Sequence, residues 1–549
     1  METVACCRHY PVAFMPLHFQ SSRIIKDIKL NRRKHSKGVV LKRNIGKKHR
    51  LRGKPLAINA KRYLKEDPDE EIKKYDKYAL EFKNNENIVE DSEAKFNEHP
   101  LTFVSSISSM DPLIDSDYFV QGSKTIRKND GAVETEPSTL VRIPGLPDGS
   151  DGNNGAHISS CFWEWKYKWI VHYEKAGSQN VNAPAVLFLP GFGVGSFHYE
   201  NQLRDLGQDF RVWAIDFLGQ GRSLPPDDPA PLVKEGTPEE IVKYWGFGPQ
   251  VEPWARDLVY SVDLWRDQIR SFVEKVIGEP IYVVGNSLGG FVGLYFAASY
   301  PHLVRGITLL NATPFWAFIP NPSRSPEVAK LLPWSGNFPV PPSARKLTEF
   351  VWSKISEPES IKNVLKQVYA DNSAVTDELL LRILEATEHP AAAASFVSII
   401  FAPQGELSFN EILSRCREMN IPLCLIYGRE DPWVKPVWGQ LVKRQVPDAV
   451  YYEVSPAGHC PHSEVPEVVN FLLRGWIKSI ESEGSMALPL HEDPNLLQSE
   501  FWRKIEFERR GSKKSVRTCV VTMKRSFWHN LLSIFRSFLR KFEDATPRA

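Results

Sequence analysis

One pentapeptide narrows the folds open to this chain more than any other feature. Gly285-Asn286-Ser287-Leu288-Gly289 follows a short apolar run, Ile281–Val284, and precedes a stretch of helical pattern from Gly290 to Ser299. The spacing predicts a strand that turns into a helix within a few residues. Such a turn holds its central residue in a strained backbone state. A side chain on either flank would collide with the turn, so glycine stands at both positions. The serine hydroxyl is thereby lifted clear of the sheet and faces the unpaired N–H groups and positive end of a helix. Ser287 is the predicted nucleophile, and the Leu288 amide one predicted oxyanion donor.

The rest of the chain suits that junction. Short apolar runs at Ala185–Leu189, Val212–Ile215, Ile281–Val284, Ile307–Leu310, Leu423–Tyr427 and Val450–Val454 are separated by helical patterns such as Val259–Val276. Alternating strand and helix predicts an α/β fold whose mostly parallel central sheet is flanked by helices on both faces. Order is expected to begin near Ser159, with Trp163–Trp169 and Ile170–Tyr173 as aromatic and β-branched edge strands. Two stretches break the rhythm. Leu224–Trp254 holds several prolines with Tyr244, Trp245, Phe247 and Trp254, and reads as a surface loop or as added aromatic lining. About ninety residues, Thr313–Gly405, replace a short connection. That is the size and position of a helical cap over the edge of the sheet where such folds bind ligands. The expected organisation is a basic leader at 1–60, a disordered linker at 61–155, the core at 156–312 and 406–482, the cap at 313–405 and a tail at 483–549.

Charge separates the leader from the body. Residues 1–60 hold 15 Lys and Arg against only Glu2 and Asp27, which leaves about −10 on the remainder of a chain whose formal net charge is +3. A body of that sign is a poor partner for nucleic acid. The leader suits an organelle transit peptide. Arg32-Arg33-Lys34 and Lys47-Lys48-His49-Arg50 alternatively suit a nuclear signal or a nucleic-acid patch. Seven cysteines, an odd number with no C-x-x-C, predict free thiols rather than a disulfide framework or a zinc site.

A serine hydroxyl needs a base. Two loops at predicted strand ends supply candidates: Gly428-Arg429-Glu430-Asp431-Pro432 and Ser455-Pro456-Ala457-Gly458-His459. Asp431 and His459 fall in the chain order nucleophile, acid, histidine that this class of fold uses. Glu430 is the rival acid and His462 the rival base, while His198 reads as structural. The loop Pro190-Gly191-Phe192-Gly193-Val194-Gly195 should bring a second oxyanion donor, and Phe192 is the candidate amide. The G-x-G in Asp216–Ser223 lacks a full dinucleotide fingerprint and reads as a structural turn. The chemistry expected is acyl transfer with no metal or organic cofactor.

Several longer strings are more specific. Leu187–Glu200, Trp213–Gly221, Gly285–Gly290, Asn311–Trp316 and Gly458–Glu464 together resemble the pheophytinases, plastid esterases of the α/β-hydrolase superfamily, across about residues 140–490. The resemblance implies the α/β-hydrolase fold, Ser287 as nucleophile, and cleavage of pheophytin to pheophorbide and phytol during chlorophyll breakdown in senescence. It also implies a chloroplast stromal location and chlorophyll-catabolic or antenna proteins as partners. A wide apolar substrate would suit the cap aromatics Phe315, Trp316, Phe318, Trp334, Phe338, Phe350 and Trp352. A general lipase or acyltransferase with the same triad is the alternative enzyme, and a non-catalytic binder the alternative class. In Phe527–Phe542 the apolar residues Phe527, Leu531, Ile534, Phe535, Phe538 and Phe542 share a helical face ringed by Lys524, Arg525, Arg536, Arg540 and Lys541. That pattern suits a helix lying on an anionic surface such as the thylakoid membrane, or one packing on the body.

Overall fold

The computed structural model describes residues 139–149, 152–230, 244–249, 251–317, 319–330, 334–491 and 500–522. Their centre is a sheet of eleven strands in the order β1-β10-β11-β9-β8-β7-β6-β4-β5-β3-β2. The strands are β1 (Thr139–Arg142), β2 (Ser159–Lys166), β3 (Trp169–Ala176), β4 (Ala185–Leu189), β5 (Arg211–Ile215), β6 (Ile281–Asn286), β7 (Val304–Leu310), β8 (Leu423–Gly428), β9 (Val450–Ser455), β10 (Glu500–Arg509) and β11 (Ser512–Val521). From β5 to β9 every neighbouring pair is parallel. β4, β6 and β8 are buried along their whole length, as strands covered on both faces must be.

Alternate residues of those strands feed two apolar layers. Leu187, Leu189, Val283, Leu309 and Leu425 pack with Trp265, Phe291 and Ile412 of helices Val262–Phe272, Leu288–Ser299 and Phe409–Glu418. Val186, Phe188, Val284 and Ile426 pack on the other side with Leu203, Leu472 and Trp476 of helices Glu200–Leu206 and Pro466–Glu481. The period of two thus sets which helix each strand residue meets.

The cap lies between β7 and β8 and contains helices Pro326–Lys330, Arg345–Ile355, Pro358–Val368, Asp377–Thr387 and Ala392–Ile400. The insertion before helix Val262–Phe272 is knitted to it where described. Val340 N–H donates to the Gly246 carbonyl at 2.8 Å, and Trp245 N–H to the Pro390 carbonyl at 3.0 Å. Phe247 and Phe338 are buried in the core rather than free to line a site.

Two expected boundaries are corrected. Regular structure is present well before Ser159, because Thr139–Arg142, in the supposed linker, pairs as β1 in parallel with β10. Ala156 is also buried, and its N–H donates to the Arg204 carbonyl at 2.8 Å. The supposed tail supplies β10 and β11, a hairpin that joins β9 through β11. Its turn residues Arg510 and Gly511 both have positive φ, 49° and 72°, as a two-residue hairpin loop requires. Phe501, Ile505 and Phe507 alternate inward along β10. The leader at 1–60, all of 61–138 and the predicted helix Phe527–Phe542 lie outside the described residues.

Candidate active site

The turn at Ser287 has the strain that the pentapeptide predicts. Ser287 sits at φ 52°, ψ −117°, between β6 and the first residue of helix Leu288–Ser299. A non-glycine residue there costs about 1–3 kcal/mol and persists only where its surroundings hold it. They do: Ser287 N–H donates to the Leu310 carbonyl at 3.1 Å, and its carbonyl accepts from Thr313 N–H at 3.2 Å. The flanking glycines leave no room for substitution. A β-carbon at Gly285 would stand 2.3 Å from the Gly289 carbonyl oxygen, and one at Gly289 2.1 Å from the Leu189 carbonyl oxygen.

Asp431 and His459 meet at the ends of β8 and β9. His459 Nδ1 lies 2.7 Å from Asp431 Oδ2, and both side chains are buried. The carboxylate is fully engaged. Oδ1 accepts Trp433 and Val434 N–H at 2.8 and 3.0 Å, and Oδ2 also accepts from Asn311 Nδ2 at 2.8 Å. Asn311, at the end of β7 with φ 41°, accepts Gly428 N–H on its own oxygen at 2.8 Å. Asn286, directly before Ser287, donates to the His459 carbonyl at 2.9 Å. The Ser287 turn and the His459 loop are therefore stitched together by the Asn286 amide.

The rivals point elsewhere. Glu430 accepts Ser455 Oγ at 2.6 Å and Ala457 N–H at 2.9 Å, so it braces the turn before His459. His462 stands 3.3 Å from His198 Nδ1, and His198 Nε2 lies 2.9 Å from the Tyr369 hydroxyl. Burial, with a smaller contribution from His459, pushes His198 down to about 4. Burial, with smaller contributions from His198 and His459, also holds His462 well below the ordinary imidazole value. This pair is a neutral buried strut between core and cap.

The loop after β4 crosses the serine. A β-carbon on Gly191 would lie 3.6 Å from Ser287 Cβ. The Phe192 N–H makes no hydrogen bond among the described residues. Leu288 opens its helix, so its N–H has no partner one turn back. The Phe192 ring packs against Trp316 and Phe396 of the cap, with centroids 5.1 and 5.5 Å apart, and Trp352 stands behind Phe396 at 5.3 Å. Trp316 and Trp352 are among the cap aromatics that read from the sequence either as substrate lining or as ordinary core. Phe396 is not among them. Asn311 and Trp433 were likewise missed. The ring of Trp433 lies 5.5 Å from that of His459. The one local sign of Asn311 is an asparagine at a strand end, where left-handed backbone is tolerated. Asp216 accepts Ser196 and Arg222 N–H, so its loop is the structural turn expected.

Among the described residues no cluster of His, Cys, Asp and Glu could hold a metal ion, and no helix is long and apolar enough to cross a membrane. The arrangement can activate a hydroxyl, hold a developing oxyanion and receive an apolar group beside Phe192.

The alpha/beta hydrolase family profile matches residues 186–470. The chloroplastic pheophytinase of Arabidopsis thaliana is 60% identical over 411 residues, spanning 74% of this chain and 85% of that protein. Lipase 3 of a Moraxella species is 26% identical over 226 residues, 40% of this chain and 62% of its own. Among solved structures, a lipase from Acinetobacter baumannii aligns with a TM-score of 0.42 at 18% identity, covering 59% of this chain and 93% of that one. With the family profile over more than half its length and that degree of identity to a plant relative, the chain is an ester hydrolase of the alpha/beta hydrolase family and belongs to its pheophytinase branch.

Proposed function

We propose that this chain hydrolyses the phytyl ester of pheophytin in the chloroplast, releasing pheophorbide and phytol through an acyl-enzyme on Ser287. The observation that carries the substrate is the 60% identity to the Arabidopsis pheophytinase. The observation that supports the chemistry is the buried His459–Asp431 bond stitched to the Ser287 turn. Ser287 Oγ attacks the ester carbonyl while His459 Nε2 takes its proton. Asp431 holds Nδ1 protonated, which fixes the tautomer and offsets the charge of the imidazolium. The Phe192 and Leu288 N–H groups receive the oxyanion. As the tetrahedral intermediate collapses, the imidazolium gives its proton to the departing phytol oxygen. Water, activated by the same imidazole, then frees the acid. The apolar rings of Phe192, Trp316 and Phe396 give the substrate a wall without charge.

Residues 1–60 serve in this reading as the transit peptide, and Phe527–Phe542 as a peripheral contact with the thylakoid surface, on the strength of their sequence patterns alone. Removing residues 523–549 should lower co-flotation with anionic liposomes, and unchanged flotation removes the membrane role. The substrate is tested by incubating the protein with pheophytin, chlorophyll and a short aryl ester beside a Ser287→Ala control. Pheophytin turnover lost in the control is expected. Turnover of the aryl ester alone would return the chain to the general esterases.

A further inference from the structure

The cap touches the histidine loop through its main chain. Helix Pro358–Val368 ends there, and the last carbonyls of a helix lack partners within it. The Val368 carbonyl is taken by the N–H of His459 itself, at 2.8 Å. The approach is close: a β-carbon at Gly458 would stand 2.2 Å from that oxygen. Just beyond, a single carboxylate binds both sides. Glu464, fully buried, accepts Gly458 N–H on Oε1 at 2.8 Å. Its Oε2 accepts Ala370 and Asp371 N–H at 2.7 and 3.0 Å. Arg509, the nearby cation, reaches the Glu464 carbonyl and the Glu467 carboxylate instead. The three donors to Glu464 are main-chain groups, so the arrangement is not relaxed by rotating a donor side chain.

We propose that Glu464 is a positioning residue, latching the end of cap helix Pro358–Val368 to Gly458 so that His459 is held in register with Asp431 only while the cap is seated. The inference rests on the reading of His459 as the base. It links two parts of the molecule that the sequence sets about ninety residues apart. A cap lifted at this end takes the Val368 carbonyl away from His459 N–H and leaves the loop held by Asn286 and Glu430. A seated cap restores that bond, so closure over the substrate and completion of the site are one event.

The test is Glu464→Gln, which keeps the shape but turns one acceptor into a donor facing N–H groups. At a temperature where circular dichroism shows the variant folded, kcat on a short aryl ester should fall about 10- to 100-fold, the scale of a small misplacement of a reacting group. KM should stay within about twofold. Amide protection at 368–371 and 458–459 should drop together. A wild-type kcat in this variant, or a rise in KM alone, overturns the latch. If the glutamine form does not fold, Ala370→Pro removes one donor and leaves the carboxylate in place, and a folded proline variant with wild-type kcat overturns it equally. Failure of the unaltered enzyme to turn over the ester or to take a serine-directed probe would instead sink the reading of Ser287, which separates the two failures.

Discussion

Among the described residues two buried histidine–aspartate pairs have nearly the same geometry, and one of them adjoins the strained turn at Ser287. His459 Nδ1 lies 2.7 Å from Asp431 Oδ2, and His172 Nδ1 lies 3.0 Å from Asp216 Oδ2. The second pair even has a serine on its far nitrogen, with Ser160 Oγ 2.8 Å from His172 Nε2. What differs is the surroundings of the serine. Ser287 is held at positive φ at the head of a helix, with a glycine-rich loop across it. Ser160 sits within the edge strand β2, paired opposite Glu174 of β3, and does not head a helix. Asp216 spends its oxygens on loop amides. Three residue types in hydrogen-bonding order therefore do not make a site. Ser160 lacks the strained turn and the helix head that surround Ser287.

That contrast is open to direct attack. The largest effect should come from Ser287→Ala, which is expected to cut kcat on the order of 10⁶-fold, by analogy with other serine triads, as read by steady-state hydrolysis. Ordinary turnover in that variant would erase the distinction. Next comes Asp431→Asn, which keeps the shape but admits the wrong tautomer, with an expected loss of roughly 10⁴-fold. Glu430→Gln beside it should stay near wild type, since Glu430 braces Ser455 and Ala457. The smallest effects belong to the other pair. His172→Phe removes one partner of the buried Asp216 carboxylate, which keeps its two loop amides, and should cost about 1–3 kcal/mol in a denaturant titration. In it, and in Ser160→Ala, kcat should remain within about threefold. A large fall in kcat for either would mean that the second constellation takes part in turnover.

Much of the frame can be read from the chain, and the reasons are local. β4, β6 and β8 are continuous apolar runs because the sheet is covered on both sides, and glycine marks the nucleophile turn because a β-carbon would strike a carbonyl. Other features depend on distant partners. β1 is four residues long and has no register until β10 supplies one. β10 carries a buried Arg503 among its inward residues, its guanidinium 5.1 Å from the Phe501 ring, which interrupts the alternation that would otherwise announce a strand. Asn311 and Glu464 act through bonds to loops more than ninety residues away, so no window around either reveals its role.

The hairpin that carries the sheet beyond β9 decides how the chain can be shortened. β11 pairs with Tyr451–Ser455 of the strand that leads into the His459 loop. A version ending after helix Pro466–Glu481 would strip that strand of its neighbour. It would present a row of unpaired amides and carbonyls, a template for joining other chains edge to edge. The smallest portion that keeps every strand of this sheet paired as it stands runs from Thr139 to Val521.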